Sequence, residues 1–199
     1  MKFTFKKKIY RFIAFLLLFL VGYPSLHILI TNKATENRLV EYEPTVANEL
    51  KKYGLDELTP VLLAIMDQES HGKGNDPMQS SESAGLKRNS ITNPNKSIKQ
   101  GVYHFSQMYK YGTKMKVDLN TIIQSYNMGP GYIHFVAHNG YRHSEKLAKS
   151  YSKSQVEKSP SLYTCGNDIR NFRYPYCFGD FSYAQKVNEK LSNIKTALR

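Results

Sequence analysis

Residues 62–83 read LLAIMDQESHGKGNDPMQSSES, an apolar run that passes directly into a glutamate and then into a polar loop. Glu69 ends the apolar run, and glycines at positions 72 and 74 follow it closely. A surface helix carries its charges on one face, whereas this pattern predicts a buried helix with a carboxyl group at its end. Burial against apolar neighbours disfavours ionisation and raises the pKa of a carboxyl group. Glu69 is therefore a candidate for donating a proton near neutral pH, as glycosidic bond cleavage requires.

The alternative for Glu69 is an ordinary glutamate at the solvent end of a helix. Composition alone favours that alternative, because most glutamates are surface residues. A more specific signal has to come from the rest of the chain.

Helical patterns recur along residues 44–199, whereas strand signals are scarce and internal repeats are absent. Prolines at predicted helix starts and glycines just beyond predicted helix ends set the boundaries. We predict a mainly α fold, with residues 1–30 as a basic flank and signal or anchor segment, 31–43 as a tether and 44–199 as one domain. The predicted helices cover about 44–53, 59–70, 94–112, 118–129, 130–137, 144–156 and 181–198, and residues 72–95 and 159–180 are predicted as loops.

The N-terminal segment resembles a sequence read by the export machinery. Five basic residues precede an apolar stretch over residues 12–30, which has about the length needed to span a bilayer. A cleaved signal peptide is the alternative, but no clear small-residue cleavage site follows the first apolar run. We therefore favour a single-pass anchor in the cell membrane, with the basic end in the cytoplasm and the body exported. Cleavage would instead give a secreted protein.

The charge of the chain suits an anionic partner. Of the 28 basic residues, 23 follow residue 30, and all 16 acidic residues do so too, which leaves the body at +7. Nucleic acid, anionic lipid and an anionic cell-wall polymer all fit this sign. Export argues against nucleic acid.

Cys165 and Cys177 are the two cysteines of the chain, and both lie in the predicted exported part. A disulfide that closes a short loop and a pair of free thiols are both open. Neither cysteine lies in a metal-binding spacing, so no metal and no cofactor are expected.

Four short motifs follow one another along the chain: residues 69–70 (ES), 78–79 (MQ), 95–101 (NKSIKQG) and 125–129 (SYNMG). Together they resemble one family, the soluble lytic transglycosylases and goose-type lysozymes. Asp76 and Pro77 stand where that family usually has Gly-Leu before Met-Gln, and Ser125 stands where it has Ala. The block over residues 69–83 is similar to that of membrane-anchored Gram-positive cell-wall muramidases, often associated with mobile elements, which accounts for the Asp-Pro departure. Residues 179–187 (GDFSYAQKV) also resemble a family ending.

The resemblance implies a lysozyme-like helical domain with a catalytic cleft that cleaves peptidoglycan. The bond would be the β-1,4 linkage between N-acetylmuramic acid and N-acetylglucosamine, with Glu69 as general acid and then base. Asp76 is the candidate second carboxylate, which would position water or stabilise positive charge on the sugar. A turn residue before Pro77 is an equally good interpretation of Asp76. Glu82 competes with Asp76 for the role, although a solvated loop charge suits it better.

Three further residues are predicted to contact substrate. Gln79 would bond sugar or orient Glu69, Tyr126 would line the cleft near the acid, and Asn127 would hold an N-acetyl group or backbone. For Tyr126 and Asn127 a structural alternative is a helix C-cap, with Asn127 two residues before Gly129.

Other functions remain open at this stage. A lytic transglycosylase, which leaves anhydro-muramyl ends, can use one carboxylate, and Asp76 tilts the prediction towards hydrolysis. A non-catalytic peptidoglycan-binding scaffold of a secretion or conjugation apparatus, and a binder of anionic lipid or nucleic acid, are the non-enzymatic alternatives. His134 and His138 stand four apart, with His143 nearby, but without the glutamate of a zinc-protease motif.

Overall fold

The structure is a computed structural model that describes residues 23–198, with side chains from residue 24 onward. The described residues form α-helices and short 3-10 turns and contain no strand, so the prediction of a mainly α fold is confirmed. The 3-10 turns are Asp56–Leu58, Glu82–Ala84 and Cys165–Asn167. The α-helices are α1 (Tyr23–Lys51), α2 (Thr59–Ser70), α3 (Pro94–Lys114), α4 (Leu119–Met128), α5 (Pro130–Ala137), α6 (Glu145–Lys158) and α7 (Tyr183–Ala197).

Helix α1 corrects one predicted boundary. We expected a helix to begin at Pro44, but α1 begins at Tyr23 and Pro44 lies inside it. A proline inside a helix costs about 3 kcal/mol, because it removes one backbone hydrogen bond and crowds the preceding turn. Burial of Leu39, Val46 and Leu50 on either side of Pro44 offsets that cost. Residues 31–43, predicted as a tether, are helical, and the packed core reaches back to Leu39.

The described residues group into two compact units, one ending at Arg38 and one beginning at Leu39. The predicted apolar segment over residues 12–30 lies largely outside the described residues. From residue 23 onward, no helix combines the length and apolar character that crossing a bilayer requires.

The core of the second unit is built around α2. Residues 61–66, VLLAIM, are all buried, and α2 packs mainly against α7. Helix α4 packs against α3, α5 and α7, so it joins both sides of the core. A smaller apolar cluster forms between α5, α6 and the start of α7, around Tyr132, Tyr151 and Phe181. Helices α2 and α4 therefore share α7 as a packing neighbour.

Side-chain caps explain where several helices start. The Asp118 carboxylate accepts the backbone N–H of Thr121, and the Ser144 hydroxyl accepts that of Leu147. Both residues stand where the sequence predicts a helix to begin. Asn93 caps α3 in the same way. Helix α2 has no such side-chain cap: its N-cap is Leu58, and Thr59 is its first residue.

Candidate active site

Glu69 is the second-last residue of α2, and its side chain is half-buried. Its Oε1 accepts a hydrogen bond of 2.6 Å from the hydroxyl of Tyr183. Burial raises the pKa of Glu69 to about 7, although the Tyr183 hydrogen bond and the nearby positive charge of Arg88 lower it in part. The carboxyl group is therefore about half protonated at neutral pH and can act as an acid or as a base.

Tyr183 is buried at the first turn of α7. Burial, followed by the negative charge of Glu69, raises the pKa of Tyr183 well above its usual value, so the phenol stays neutral and can only donate to the carboxylate. An ion pair of 3.3 Å between Lys190 and Asp67 also joins α7 to α2. The last helix of the chain thus supplies the partner of the candidate acid.

The loop after Glu69 is folded back onto the end of α2. His71 ends the helix in the left-handed conformation, and the Ser70 hydroxyl donates to the Pro77 carbonyl over 2.8 Å. The same hydroxyl accepts the backbone N–H of Lys73. Ser70 therefore holds both ends of the short loop and brings residues 76–79 beside Glu69.

Asp76 is buried in this loop, and its carboxylate is surrounded by donors. It accepts backbone N–H groups from Ser80 and Ser81, and hydroxyls from Ser81 and Ser97 at 2.6 Å each. Burial alone would raise the pKa of Asp76, but these hydrogen bonds outweigh it and hold the pKa below its usual value. Asp76 is an ionised anchor that ties the loop to α3, and its oxygens are engaged within the fold.

Met78 and Tyr126 pack together beneath the loop. The Tyr126 hydroxyl donates to the Met78 carbonyl over 3.0 Å, and Met78 is fully buried against α3. The close approach requires Gly101, because a Cβ there would lie 2.7 Å from the Met78 Cβ. Burial, then the charges of Glu69 and Asp76, raise the pKa of Tyr126 well above its usual value, so it too is a neutral donor.

The Gln79 side chain bonds within its own loop. Its amide nitrogen donates to the Asp76 carbonyl and to Asn89 Oδ1, and its oxygen lies 3.4 Å from Arg88 Nε. Gln79 adopts a left-handed backbone conformation, with φ of 45°, which is uncommon for a residue with a side chain. Strain of this kind is frequent where a loop shapes a binding site.

Asn127 is exposed at the end of α4, and its Oδ1 accepts the backbone N–H of Asp180 over 2.7 Å. Its amide nitrogen is the part of the side chain that can reach a ligand. The bond joins the SYNMG motif to the segment that precedes Tyr183.

The histidines do not assemble a metal site. His134 on α5 and His138 just after it are exposed, with ring centroids 4.3 Å apart. His143 instead bonds the hydroxyl of Tyr132, which belongs to the smaller apolar cluster. Over residues 23–198, no group of three or more His, Cys, Asp or Glu side chains is placed to hold a metal ion.

The family model described as lysozyme-like matches residues 36–191, most of the chain. The chain belongs to the lysozyme-like family. This matched range contains the helix, the loop and the last-helix tyrosine that meet at Glu69.

Two relatives come from Bacillus subtilis. The uncharacterized membrane protein YocA is 59% identical over 162 residues, which are 81% of this chain and 72% of YocA. The bifunctional muramidase/DL-endopeptidase CwlT is 39% identical over 108 residues, 54% of this chain, but the match spans only 32% of CwlT.

The pneumococcal vaccine antigen A of Streptococcus pneumoniae is 32% identical over 79% of this chain and 81% of that protein. A crystal structure from Staphylococcus aureus, described as similar to a lipoprotein of the NLP/P60 family, superposes with a TM-score of 0.67 at 33% identity. It covers 78% of this chain and 52% of that one.

The lysozyme-like domain brings some predicted residues together and uses others differently. Glu69 and Tyr126 converge, and both face the loop that carries Gln79. Asp76 is electrostatically close to Glu69 but enclosed by donors. Glu82, its competitor, is exposed.

Sequence reasoning missed Tyr183 as a site residue. It falls within the helix predicted over residues 181–198 and is buried, but its hydroxyl reaches Glu69. The family-like ending over residues 179–187 was the signal that could have found it. Ser97 lies within the motif over residues 95–101, whereas Gln124, which is also buried, carried no comparable signal.

Proposed function

We propose that this chain cleaves the glycan strands of peptidoglycan at the β-1,4 bond between N-acetylmuramic acid and N-acetylglucosamine, with Glu69 as general acid. The observation that carries the proposal is the sheltered Glu69 carboxyl with a pKa of about 7, held by the Tyr183 hydroxyl. Membership of the lysozyme-like family and the likeness to a muramidase support the substrate class.

In the first step, protonated Glu69 donates its proton to the glycosidic oxygen while the bond from that oxygen to the anomeric carbon breaks. Positive charge develops on the muramic acid ring, and Glu69 becomes a carboxylate. The carboxylate then removes a proton from the attacking group, which restores the acid. Tyr183 stabilises the carboxylate stage by donating to Oε1.

Hydrolysis, in which water attacks the anomeric carbon, is the outcome we propose. A second outcome, attack by the 6-hydroxyl of the same muramic acid to leave an anhydro sugar, is favoured by the surroundings of Asp76. Five donor groups bond its carboxylate, so it is poorly placed to activate water. Asp76 then acts by shaping the loop, and Glu69 carries both proton transfers.

Substrate contacts are proposed for three side chains. The Asn127 amide nitrogen, exposed at the end of α4, would hold an N-acetyl carbonyl. Tyr126 would form the floor beside the acid, and Gln79 would present the edge of its loop to sugar.

We also propose that residues 12–30 anchor the chain in the cell membrane with the body, residues 44–199, outside. The membrane description of YocA and the basic N-terminal flank support this. Full-length protein is expected in the membrane fraction, released by detergent and not by 1 M salt. Release by salt alone would contradict an anchor and point to charge-driven association.

The decisive experiment is digestion of purified peptidoglycan followed by mass spectrometry of the soluble fragments. Reducing muramic acid ends support hydrolysis, and anhydro ends support transglycosylation. Glu69→Gln is the matched inactive variant, because it keeps the size of the side chain and its acceptor for Tyr183. Fragments from wild type at the level of Glu69→Gln would overturn the enzymatic proposal and favour a glycan-binding scaffold.

A further inference from the structure

Gln124 is a fully buried polar residue in the middle of α4, away from solvent on every side. A buried amide needs partners for both its ends. Its nitrogen donates to the Asp180 carbonyl over 2.7 Å, and its oxygen accepts the backbone N–H of Ala184 over 3.0 Å. One side chain thus holds two backbone groups four residues apart.

The Ala184 bond completes the start of α7. The first N–H groups of a helix lack partners within it, and an N-cap side chain commonly supplies one. Ser182, the N-cap of α7, makes no such side-chain bond. The oxygen of Gln124 therefore caps α7 from a different helix.

The two backbone groups held by Gln124 lie on either side of Tyr183. Asn127, one helical turn further along α4, adds a third bond by accepting the N–H of Asp180. The approach depends on Gly179, because its φ is 63° and a Cβ there would lie 2.8 Å from Asn127 Oδ1. Residues 180–184 are thus attached to α4 at three points, and the Tyr183 hydroxyl between them reaches Glu69.

We propose that Gln124 is a positioning residue for the candidate acid: its amide fixes the start of α7 so that the Tyr183 hydroxyl is held on Glu69. This inference rests on the proposed function for its catalytic consequence, although the geometry is independent of it. An amide suits the role because it donates and accepts at once, which a carboxylate or an aliphatic side chain does not.

Gln124 does not touch Glu69 and acts on it through the Tyr183 hydroxyl. A change at Gln124 should therefore be detected as a change in the pKa of Glu69. The Tyr183 bond favours the carboxylate form and lowers the pKa of Glu69 against the larger effect of burial. Loosening Tyr183 should therefore raise that pKa. Besides Tyr183, the charged or titratable groups that act on Glu69 or lie against it are Arg88, Asp76, Asp180 and Tyr126.

The test is a double-mutant cycle with Gln124→Met, Tyr183→Phe and the combined variant. Gln124→Met keeps the volume and removes both bonds. The pKa of Glu69 is read by carbon NMR titration of its carboxyl carbon, alongside the pH profile of kcat on peptidoglycan. Both single variants are expected to raise the pKa by about one pH unit, the size of a lost hydrogen bond to a charged group. The double variant is expected to match Tyr183→Phe.

Ser152→Ala is the matched control. Ser152 is equally buried and makes two bonds to the backbone of Phe178, in the same segment but outside residues 180–184. It should leave the Glu69 titration where it is in wild type. An unmoved Glu69 titration in folded Gln124→Met, or a double variant whose shifts add, would overturn the proposal.

A second variant and a measurement without substrate allow the proposal to be tested even if Gln124→Met does not fold or the chain is inactive. If Gln124→Met does not fold, Asn127→Ser removes the third bond at an exposed position, and a smaller upward shift is expected. The NMR titration needs no substrate, so it reports on the positioning even if the chain proves not to cleave glycan.

Discussion

At Glu69, the burial that suits the proposed acid also lowers the stability of the fold when the carboxyl group is ionised. A carboxyl group that keeps its proton near neutral pH has to be sheltered, and sheltering makes the ionised form costly to the fold. Its pKa is raised from 4.5 to about 7, so between those two pH values the folded chain holds a proton that the unfolded chain has lost. Stability is therefore greatest below about pH 4.5 with respect to this group and falls as the pH rises to 7.

Glu69→Gln is expected to lose activity and gain stability. Loss of the acid should lower kcat by about 10²–10⁴-fold. Without a charge to bury, the variant should exceed wild type by up to about 3 kcal/mol in free energy of unfolding at pH 8 and match it at pH 4. Urea unfolding at the two pH values measures this. Equal stabilities at pH 8 would show that Glu69 is exposed to solvent.

The pH dependence of the reaction follows from the same group. The first step needs protonated Glu69, so kcat should fall as the pH rises through about 7. Initial rates on labelled peptidoglycan between pH 5 and pH 9 measure the decline. A rate that stays level to pH 9 would mean that another group supplies the proton.

At the scale of elements, the loop between α2 and α3 is held by one buried anion. Asp76 ties the loop to Ser97 on α3, and its lowered pKa means that ionisation stabilises the fold. That contribution is present above the usual pKa of an aspartate and is lost as the pH falls through the lower folded value.

Asp76→Asn is expected to destabilise the chain by about 3 kcal/mol at pH 7, because its amide NH₂ would face donors. Thermal unfolding monitored by circular dichroism measures the effect. Glu82→Gln is the control, since this exposed carboxyl lies in the same loop and should change the melting temperature little. If Asp76→Asn abolished activity while keeping full stability, the second-carboxylate role would be favoured instead.

Helices α2 to α7 were predictable because proline, glycine and capping residues mark their ends locally. Asp118, Ser144 and the Thr59-Pro60 pair lie at the starts of helices that the sequence predicts. The start of α1 was not predictable, because burial of Leu39 and Val46 outweighs the local signal of Pro44. The roles of Asp76 and Gln124 depend on partners 21 and 56 residues away, which no local pattern specifies.

At the scale of the whole molecule, a disulfide bond closes a loop within the segment between α6 and α7. The structure has Cys165 and Cys177 joined, which decides between the two alternatives left by the sequence. Such a link stabilises chiefly by restricting the unfolded chain, by about 3 kcal/mol for a loop of this size.

The double variant Cys165→Ser/Cys177→Ser is expected to have a free energy of unfolding about 3 kcal/mol below that of wild type. It should therefore unfold at a lower urea concentration. Dithiothreitol should lower the wild-type midpoint towards the same value and leave the double variant unchanged. Alkylation after dithiothreitol treatment shows whether the disulfide has been fully reduced. If it has, and the wild-type urea midpoint does not change, the disulfide adds nothing to stability.

The bond between Tyr183 and Glu69 joins residues 114 positions apart. A chain leaving the ribosome or crossing a membrane from its N-terminus therefore carries its acid long before the matching phenol arrives. The pair assembles only when the final helix docks. The proposed acid therefore gains its hydrogen-bond donor only after the chain has been made as far as α7.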